Sequence, residues 1–191
     1  MNTKKLPVAI IGYSGHAFVV IDALQLSGRT VVAYCDQEEK ASNPFGLTYL
    51  GKEREATEEL KGFDYFASVG DNGIRRKICE FVGSLTGKPP ISVVHPSAII
   101  AGSVQVGNGV LISAGSLINS LAVIGNGSIC NTGTIIEHEC RIGEYVHIAP
   151  GAVLCGNVSV GNNSFIGANA VIRQGISVGA NAVIGAGSVV T

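Results

Sequence analysis

A six-residue repeat runs through the second half of the chain without a slip in register. Every sixth residue from Ile100 to Val190 is isoleucine, leucine or valine at fifteen of sixteen positions, and the exception is Cys130. The residue two places before each of these is mostly small, as at Ala98 and Ser116. Neither the 3.6-residue period of an α-helix nor plain strand alternation produces this register. The repeat therefore predicts a solenoid in which six residues form one short strand and one turn.

Three such repeats close one triangular coil of 18 residues, and successive coils stack at the inter-strand distance of about 4.8 Å. The aliphatic side chains then fill the interior of a prism. Glycine and asparagine suit its corners, where the backbone needs positive φ. We expect about five coils in residues 98–191 and assign the solenoid domain to residues 91–191.

Residues 1–90 have a different pattern, which is typical of a Rossmann-like α/β domain with βαβ order. The predicted elements are strand Val8–Ile11, helix Ala17–Leu26, strand Thr30–Tyr34, helix Gly51–Leu60, strand Tyr65–Val69 and helix Gly73–Val82. The chain is thus expected to join an α/β domain to a parallel β-helix.

The glycine-rich turn Gly12–His16 follows the first strand, and Asp36 follows the second. Glycines at this place let a phosphate approach a helix amino terminus, and an acid at the end of the second strand suits a ribose hydroxyl. The alternative is a tight turn and a solvated aspartate. Because the full GxGxxG pattern is absent, the residues alone leave both interpretations open.

Charge is scarce in the second half, since only five of the 27 charged residues follow residue 97. Four of those five lie between Glu137 and Glu144, together with His138 and His147. Because charged residues are otherwise rare in the repeat, we expect this charged segment to contain the functional site. The alternative for each histidine is a corner residue with a partly solvated ring.

His138 suits the role of a general base that removes a proton from an attacking amine or hydroxyl. Gly156 lies 18 residues later, one coil away on the same edge, so its N–H is expected to stabilise an oxyanion. Either Glu137 or Glu139 supports the base, and strand alternation does not decide between them. His147 lies half a coil from His138. The two histidines can therefore meet only across a subunit boundary, which predicts a cyclic oligomer.

Composition excludes several classes of function. A net charge of −1 removes the basic surface that nucleic acid requires. No apolar run reaches the roughly 20 residues of a membrane span. Residues 1–7 show no signal-peptide pattern, so we expect a cytoplasmic protein. Five cysteines without a CxxC pair argue against disulfides and zinc, and no metal is expected.

Six segments carry a resemblance to a known family of enzymes. They are Gly12–His16, Gly70–Asn72 with Arg75, Ile136–Cys140, Ile142–Glu144, Val146–His147 and Cys155–Val158. Together they resemble the bacterial sialic-acid O-acetyltransferase and UDP-4-amino-sugar N-acetyltransferase family, which belongs to the hexapeptide-repeat acyltransferases. The resemblance covers essentially the whole chain, and it implies a left-handed parallel β-helix.

The resemblance also implies roles for individual residues. His138 is the general base and Glu139 its partner, and acetyl-CoA lies between two subunits of a homotrimer. The expected acetyl-CoA contacts are His147, Gly156 and Ala168. In the amino-terminal nucleotide-sugar-binding domain, the expected substrate contacts are Ser14, Gly15, His16, Asp36, Gly70 and Asn72.

The sequence leaves three functions open. Acetyl-CoA-dependent N-acetylation of a UDP-4-amino sugar, for bacterial surface glycan synthesis, leads because an α/β domain precedes the solenoid. O-acetylation of a sialic acid or another sugar is second, since the same base chemistry serves both. A metal-dependent hydratase needs three histidine ligands per zinc, and the solenoid offers two.

Overall fold

The computed structural model describes residues 5–191, and the chain divides into two compact units, residues 1–91 and 92–191. Residues 1–4, on which part of the signal-peptide interpretation rests, lie outside the described residues. In the described part of the chain, none of the helices combines the length and hydrophobicity needed to cross a bilayer.

The first unit is built on a four-stranded parallel sheet. Its elements are β1 (Val8–Ile11), α1 (Gly15–Leu26), β2 (Val31–Cys35), β3 (Thr48–Tyr49), α2 (Thr57–Leu60), β4 (Asp64–Ala67) and α3 (Asn72–Thr86). The strand order is β3-β2-β1-β4, and β1 is buried at all four positions. The chain passes from β1 to β2 on one side and later to β4 on the other. Ligands of such sheets bind where the order reverses, at the carboxyl ends of the strands.

The structure of this unit departs from the prediction in one helix and one strand. The helix predicted over Gly51–Leu60 is wrong in extent, because only Thr57–Leu60 is helical. Gly51 has a φ of 95°, and its carbonyl accepts a hydrogen bond of 3.2 Å from the Asp36 amide. This contact holds the segment beside the end of β2 and outside a helix. The short strand Thr48–Tyr49 was not predicted, because two residues show no alternation.

The second unit is a stack of two-residue strands joined by tight turns. The strands are β5 (Val93–Val94), β6 (Ile99–Ile100), β7 (Gln105–Val106), β8 (Leu111–Ile112), β9 (Leu117–Ile118), β10 (Val123–Ile124), β11 (Ile129–Cys130), β12 (Ile135–Ile136), β13 (Arg141–Ile142), β14 (His147–Ile148), β15 (Val153–Leu154), β16 (Ser159–Val160), β17 (Phe165–Ile166), β18 (Val171–Ile172), β19 (Ser177–Val178), β20 (Val183–Ile184) and β21 (Val189–Val190).

These strands form three parallel sheets. Sheet I contains β5, β8, β11, β14, β17 and β20, sheet II contains β6, β9, β12, β15, β18 and β21, and sheet III contains β7, β10, β13, β16 and β19. Each strand pairs with the strand 18 residues further along, as Ile129 pairs with His147. One coil passes through each sheet in turn. Residues 18 apart therefore form a column along one edge or face of the prism.

Fifteen of the sixteen residues of the six-residue repeat lie in or pack against one apolar cluster in the interior, as predicted, and the exception, Val106, is exposed. Ile124, Ile136 and Ile148 belong to one buried cluster that runs along the prism. Cys130 and Cys140 lie in the same cluster. Burial raises the pKa of the Cys130 thiol to about 12 and also raises the pKa of Cys140. Both cysteines are therefore core residues. Thiols with a raised pKa are poor nucleophiles, so neither side chain suits that role.

Several corners of the prism place a residue at positive φ. Glycine occupies many of these positions, and the other residues in the described part of the second unit are Leu121, Glu139, Tyr145, Asn157, Asn163, Asn169 and Asn181. Asparagine tolerates this conformation well. Leu121, Glu139 and Tyr145 are therefore the three corner residues whose side chains do not suit the backbone.

Candidate active site

His138 and Glu139 form the turn between β12 in sheet II and β13 in sheet III. His138 Nδ1 lies 3.1 Å from Glu139 Oε2, and the two side chains are 52% and 57% exposed. Glu139 adopts a φ of 61°. When Nδ1–H donates to the carboxylate, Nε2 is the nitrogen that accepts a proton from a ligand.

Glu137 has a different partner. Its Oε2 accepts a hydrogen bond of 3.0 Å from Asn119 Nδ2, one coil earlier in the same column. The structure therefore pairs His138 with Glu139, and it ties Glu137 to the neighbouring coil.

Gly156 lies directly against the His138 ring. A Cβ atom at Gly156 would be 2.5 Å from His138 Cε1 and 2.6 Å from Nε2, so only glycine leaves room for the ring in this position. The backbone is aligned beside it, because the Asn157 amide donates to the His138 carbonyl at 2.8 Å. Within residues 5–191, the Gly156 amide has no acceptor at hydrogen-bond distance. It is available as a donor to a ligand beside the histidine.

His147 occupies β14 in sheet I, opposite the corner that carries His138. The side chain is buried, with Nε2 3.2 Å from Asn131 Nδ2 and the ring 5.1 Å from Phe165, edge to face. Ala168 is half-buried and lies at the corner between sheets I and II. Within one chain, the structure thus brings Gly156 to His138 and places His147 and Ala168 elsewhere.

The remaining charged residues of this region do not form one cluster. Glu144 Oε1 accepts a hydrogen bond of 2.8 Å from Asn126, and the Glu144 amide donates to Asn162 Oδ1 at 2.9 Å. This ladder of polar side chains stabilises another corner. Arg141 is exposed on sheet III and shares a groove with Glu139. Of the charged residues of this region, Glu139 and Arg141 are therefore the two that line this groove.

In the first unit, the Asp36 carboxylate closes the glycine-rich turn. Its Oδ2 accepts a hydrogen bond of 2.8 Å from the Tyr13 amide, and its Oδ1 accepts one of 2.6 Å from the Gln37 amide. Lys40 Nζ lies 3.3 Å from Oδ1. Asp36 thus fixes the glycine-rich turn, and its predicted contact with a ribose stays a prediction.

The turn after β1 leads into α1. Ser14 is the N-cap residue, but its side chain makes no capping hydrogen bond, and both Ser14 and Gly15 are exposed. The amide groups of a helix amino terminus favour anions. His16 is half-buried, and burial, followed by the positive charge of Arg75, lowers its pKa. Its imidazole is therefore neutral at physiological pH.

Arg75 was part of the resemblance but had no predicted role. The side chain is fully buried in α3, and Nη1 donates to the carbonyls of Val69 and Gly70 at 2.9 and 3.0 Å. Nη2 donates to Asn72 Oδ1 at 2.7 Å. Arg75 therefore fixes the loop that contains the predicted ligand residues Gly70 and Asn72. Sequence patterns do not reveal this role, because a single buried arginine that binds loop carbonyls belongs to no repeating pattern.

Residues 7–82 match a family model described as the PglD N-terminal domain, and residues 157–191 match one described as the hexapeptide repeat of succinyl-transferase. A curated relative, UDP-N-acetylbacillosamine N-acetyltransferase of Bacillus subtilis, is 35% identical over 112 residues, 56% of this chain. The matched region spans about half, 51%, of that relative's length.

Solved structures give longer matches. Perosamine N-acetyltransferase from Caulobacter crescentus, in complex with CoA and GDP-perosamine, is 36% identical with a TM-score of 0.92, over 97% of this chain and 88% of that one. The acetyltransferase domain of PglB from Neisseria gonorrhoeae, in complex with acetyl coenzyme A, is 30% identical with a TM-score of 0.90, over 98% and 93% of the two chains.

A parallel α/β unit followed by a left-handed β-helix of hexapeptide repeats defines an acyltransferase of the hexapeptide class. This confirms the predicted fold. The chain belongs to the family of PglD-like sugar N-acetyltransferases, which confirms the resemblance.

Relatives in this family bind acetyl-CoA or CoA. Among residues 5–191, no group of three or more histidine, cysteine, aspartate or glutamate side chains could hold a metal ion.

Proposed function

We propose that this protein transfers the acetyl group of acetyl-CoA to the amino group of a nucleotide-linked 4-amino sugar. The observation that carries the proposal is the His138–Glu139 pair, whose ring lies over Gly156. This corner combines a base, a carboxylate that orients it, and a backbone N–H beside it. Two of the relatives named above are described by nucleotide-linked amino sugars, UDP-N-acetylbacillosamine N-acetyltransferase by its name and perosamine N-acetyltransferase by its complex with GDP-perosamine.

The corner supplies each element of acyl transfer. As the sugar amine attacks the thioester carbonyl, His138 Nε2 accepts the amine proton and Glu139 stabilises the resulting imidazolium. The Gly156 N–H stabilises the oxyanion. When the carbon–sulfur bond breaks, the CoA sulfur leaves as a thiolate and receives the proton from His138. No covalent enzyme intermediate forms, in agreement with the buried position of Cys140.

The first unit is proposed to bind the nucleotide. The open amino terminus of α1 and the loops fixed by Asp36 and Arg75 lie at the carboxyl ends of adjacent parallel strands, where such sheets bind ligands. Acetyl-CoA and nucleotide sugars are metabolites of the cytoplasm, so the proposed activity also favours that location.

The proposal is tested by incubating the purified protein with acetyl-CoA and a panel of UDP- and GDP-linked 4-amino sugars and free sialic acids. Thiol release and product mass are measured together. Acetylation of a nucleotide-linked amine supports the proposal. Acetylation of sialic acid hydroxyls alone would replace it with O-acetyl transfer, and absence of thiol release with every acceptor would overturn both.

Changing Asp36 to alanine is expected to raise KM for the nucleotide sugar about tenfold or more and to leave KM for acetyl-CoA unchanged. The carboxylate holds the Tyr13 and Gln37 amides in place, and it acts on a part of the substrate that does not react. Steady-state kinetics with each substrate varied in turn measure both constants. Glu38→Ala is the matched control, because Glu38 is an exposed neighbour of Lys40. Equal KM values in Asp36→Ala and wild type would contradict this role.

We also propose a homotrimer with active sites shared between subunits, because His138 and His147 lie on opposite sides of one prism. Mixing and refolding His138→Ala with His147→Ala is expected to restore about one quarter of wild-type activity, the statistical fraction of sites that contain both histidines. Light scattering gives the mass of the species. An active monomer, or mixed oligomers without recovery, would contradict the shared site.

A further inference from the structure

Leu121 lies in the same corner column as Glu139, one coil earlier. Its φ is 67°, and Glu139 one coil later has a φ of 61°. Elsewhere in the described β-helix, positive φ belongs to glycine or asparagine, except at Tyr145. Strained backbone that persists next to a reactive group is a sign of function. Two adjacent coils thus keep unfavourable side chains at one corner, beside His138.

The leucine side chain does not serve the core. It is 61% exposed, whereas the inward residues of the same coil are buried. The backbone of this turn is held without the side chain, because the Leu121 amide donates to Ser103 Oγ at 3.0 Å. Glycine or asparagine would give an easier turn. Neither packing nor backbone conformation therefore accounts for a leucine at this position.

Leu121 lines a groove of about 310 Å³ on the side of Glu139. The groove is bounded by Gln105, Leu121, Val123, Glu139, Arg141 and Asn157. Leucine and valine give it an apolar part, and two amides, a carboxylate and a guanidinium surround that part. Small-molecule sites combine apolar surface with placed polar groups, and four of the six residues that line this groove are polar or charged, as suits a ligand rich in hydroxyls. A sugar ring, with apolar C–H surfaces and a polar rim of hydroxyls, matches this arrangement.

The orientation of His138 indicates which substrate approaches from this side. The ring lies over Gly156, in the later coil, and the Gly156 amide is the proposed donor to the thioester oxygen. The acceptor must reach Nε2 from a direction that the thioester does not occupy. Leu121 lines the earlier-coil part of the groove, Asn157 lines its later-coil end, and Glu139 connects the groove to the base.

We infer that Leu121 is a specificity-determining residue, which packs against an apolar surface of the acceptor sugar and aligns its amine with His138. The inference rests on the proposed function, because it requires a sugar acceptor. It assigns the groove on sheet III to the sugar rather than to acetyl-CoA or to a neighbouring subunit.

The test compares Leu121→Gly, Leu121→Asn and Leu121→Met with wild type. Glycine and asparagine suit positive φ, so these two variants are expected to have a Tm equal to or above that of wild type. Their KM for the nucleotide amino sugar is expected to rise about ten- to hundredfold, the usual cost of lost apolar contact in a binding site. KM for acetyl-CoA is expected to stay constant. Leu121→Met retains an apolar side chain and is expected to preserve both constants.

Val183→Ala is the matched control, since Val183 is another exposed apolar residue of the β-helix and lies outside the groove. Calorimetric binding of a UDP- or GDP-linked 4-amino sugar is measured in parallel with turnover. Weaker sugar binding by Leu121→Gly than by wild type supports the inference. This holds even if wild type binds the sugar without turning it over, a result that would contradict only the proposed function. Unchanged sugar binding and KM in Leu121→Gly would overturn the inference alone. A fall in oligomer mass in light scattering would overturn it in favour of a subunit contact, and failure of wild type to bind any such sugar overturns both proposals.

Discussion

Replacing His138 with alanine is expected to lower kcat by about 10²–10⁴, the range for loss of a general base, while KM for acetyl-CoA stays nearly constant. The expected loss of kcat follows from the hydrogen bonding of the imidazole ring. His138 Nδ1 is engaged by Glu139, and Nε2 is left to accept the proton of the attacking amine. Because the side chain is 52% exposed, its removal leaves the packed interior intact. Steady-state kinetics and thermal unfolding of the same preparation separate loss of chemistry from loss of fold.

The two neighbouring glutamates provide the control. Glu139→Gln is expected to lower kcat less than His138→Ala, because it keeps the shape of the side chain and removes the charge that stabilises the imidazolium. Glu137→Gln is expected to have a smaller effect, since Glu137 contacts Asn119 and not the histidine. A larger loss from Glu137→Gln would reverse the assignment. Full activity of His138→Ala would transfer the base to another group, with His147 as the next candidate.

The β-helix could be predicted almost completely, because each coil repeats the same physical environment. A residue such as Ile136 must point inward every 18 residues, next to Ile118 and Leu154 in the same column. Many equivalent positions in the sequence therefore indicate the same six-residue register. The same 18-residue period predicts that Gly156 lies against His138, as it does in the structure.

The α/β unit was predicted less well, because its segments are short and each occurs once. The stretch 51–60 contains residues that favour helices, such as Glu55 and Glu58. Gly51 nevertheless adopts positive φ, and its carbonyl bonds the Asp36 amide beyond β2. Tertiary contacts of this kind override local helix propensity. They join residues that are distant in sequence, so no local pattern reveals them.

Strand alternation could not decide between Glu137 and Glu139, because both flank His138. The structure shows at the corner which of the two side chains lies against the ring. Glu139 has positive φ, which turns its side chain out of the alternating order and toward the His138 ring. The outward leucine at position 121 has no repeat signal either, since the other positions of its column hold four different residues, serine, glutamate, asparagine and glycine.

Gly156→Ala is expected to reduce kcat by about 10²-fold, comparable with the effect of a small misplacement of a catalytic group. The new Cβ would lie 2.5 Å from His138 Cε1, so one of the two residues must move. The histidine ring is half exposed and moves more easily than the packed backbone. Gly156 itself does not adopt positive φ, so alanine is compatible with its backbone. Alanine keeps the amide donor, and we therefore expect the fold and the oxyanion contact to remain while the base is displaced.

Gly102→Ala is the matched control, because Gly102 lies in the same corner column, three coils before Gly156, with no atom near the added Cβ. It is expected to retain wild-type kinetics and Tm. The double variant of Gly156→Ala with His138→Ala distinguishes the mechanism further. If Gly156 acts by leaving space for the ring, its substitution has no effect once the ring is absent, so the double variant is no slower than His138→Ala. A further tenfold loss in the double variant would show that the methyl group instead obstructs the acetyl donor, and the space beside the ring would then belong to acetyl-CoA.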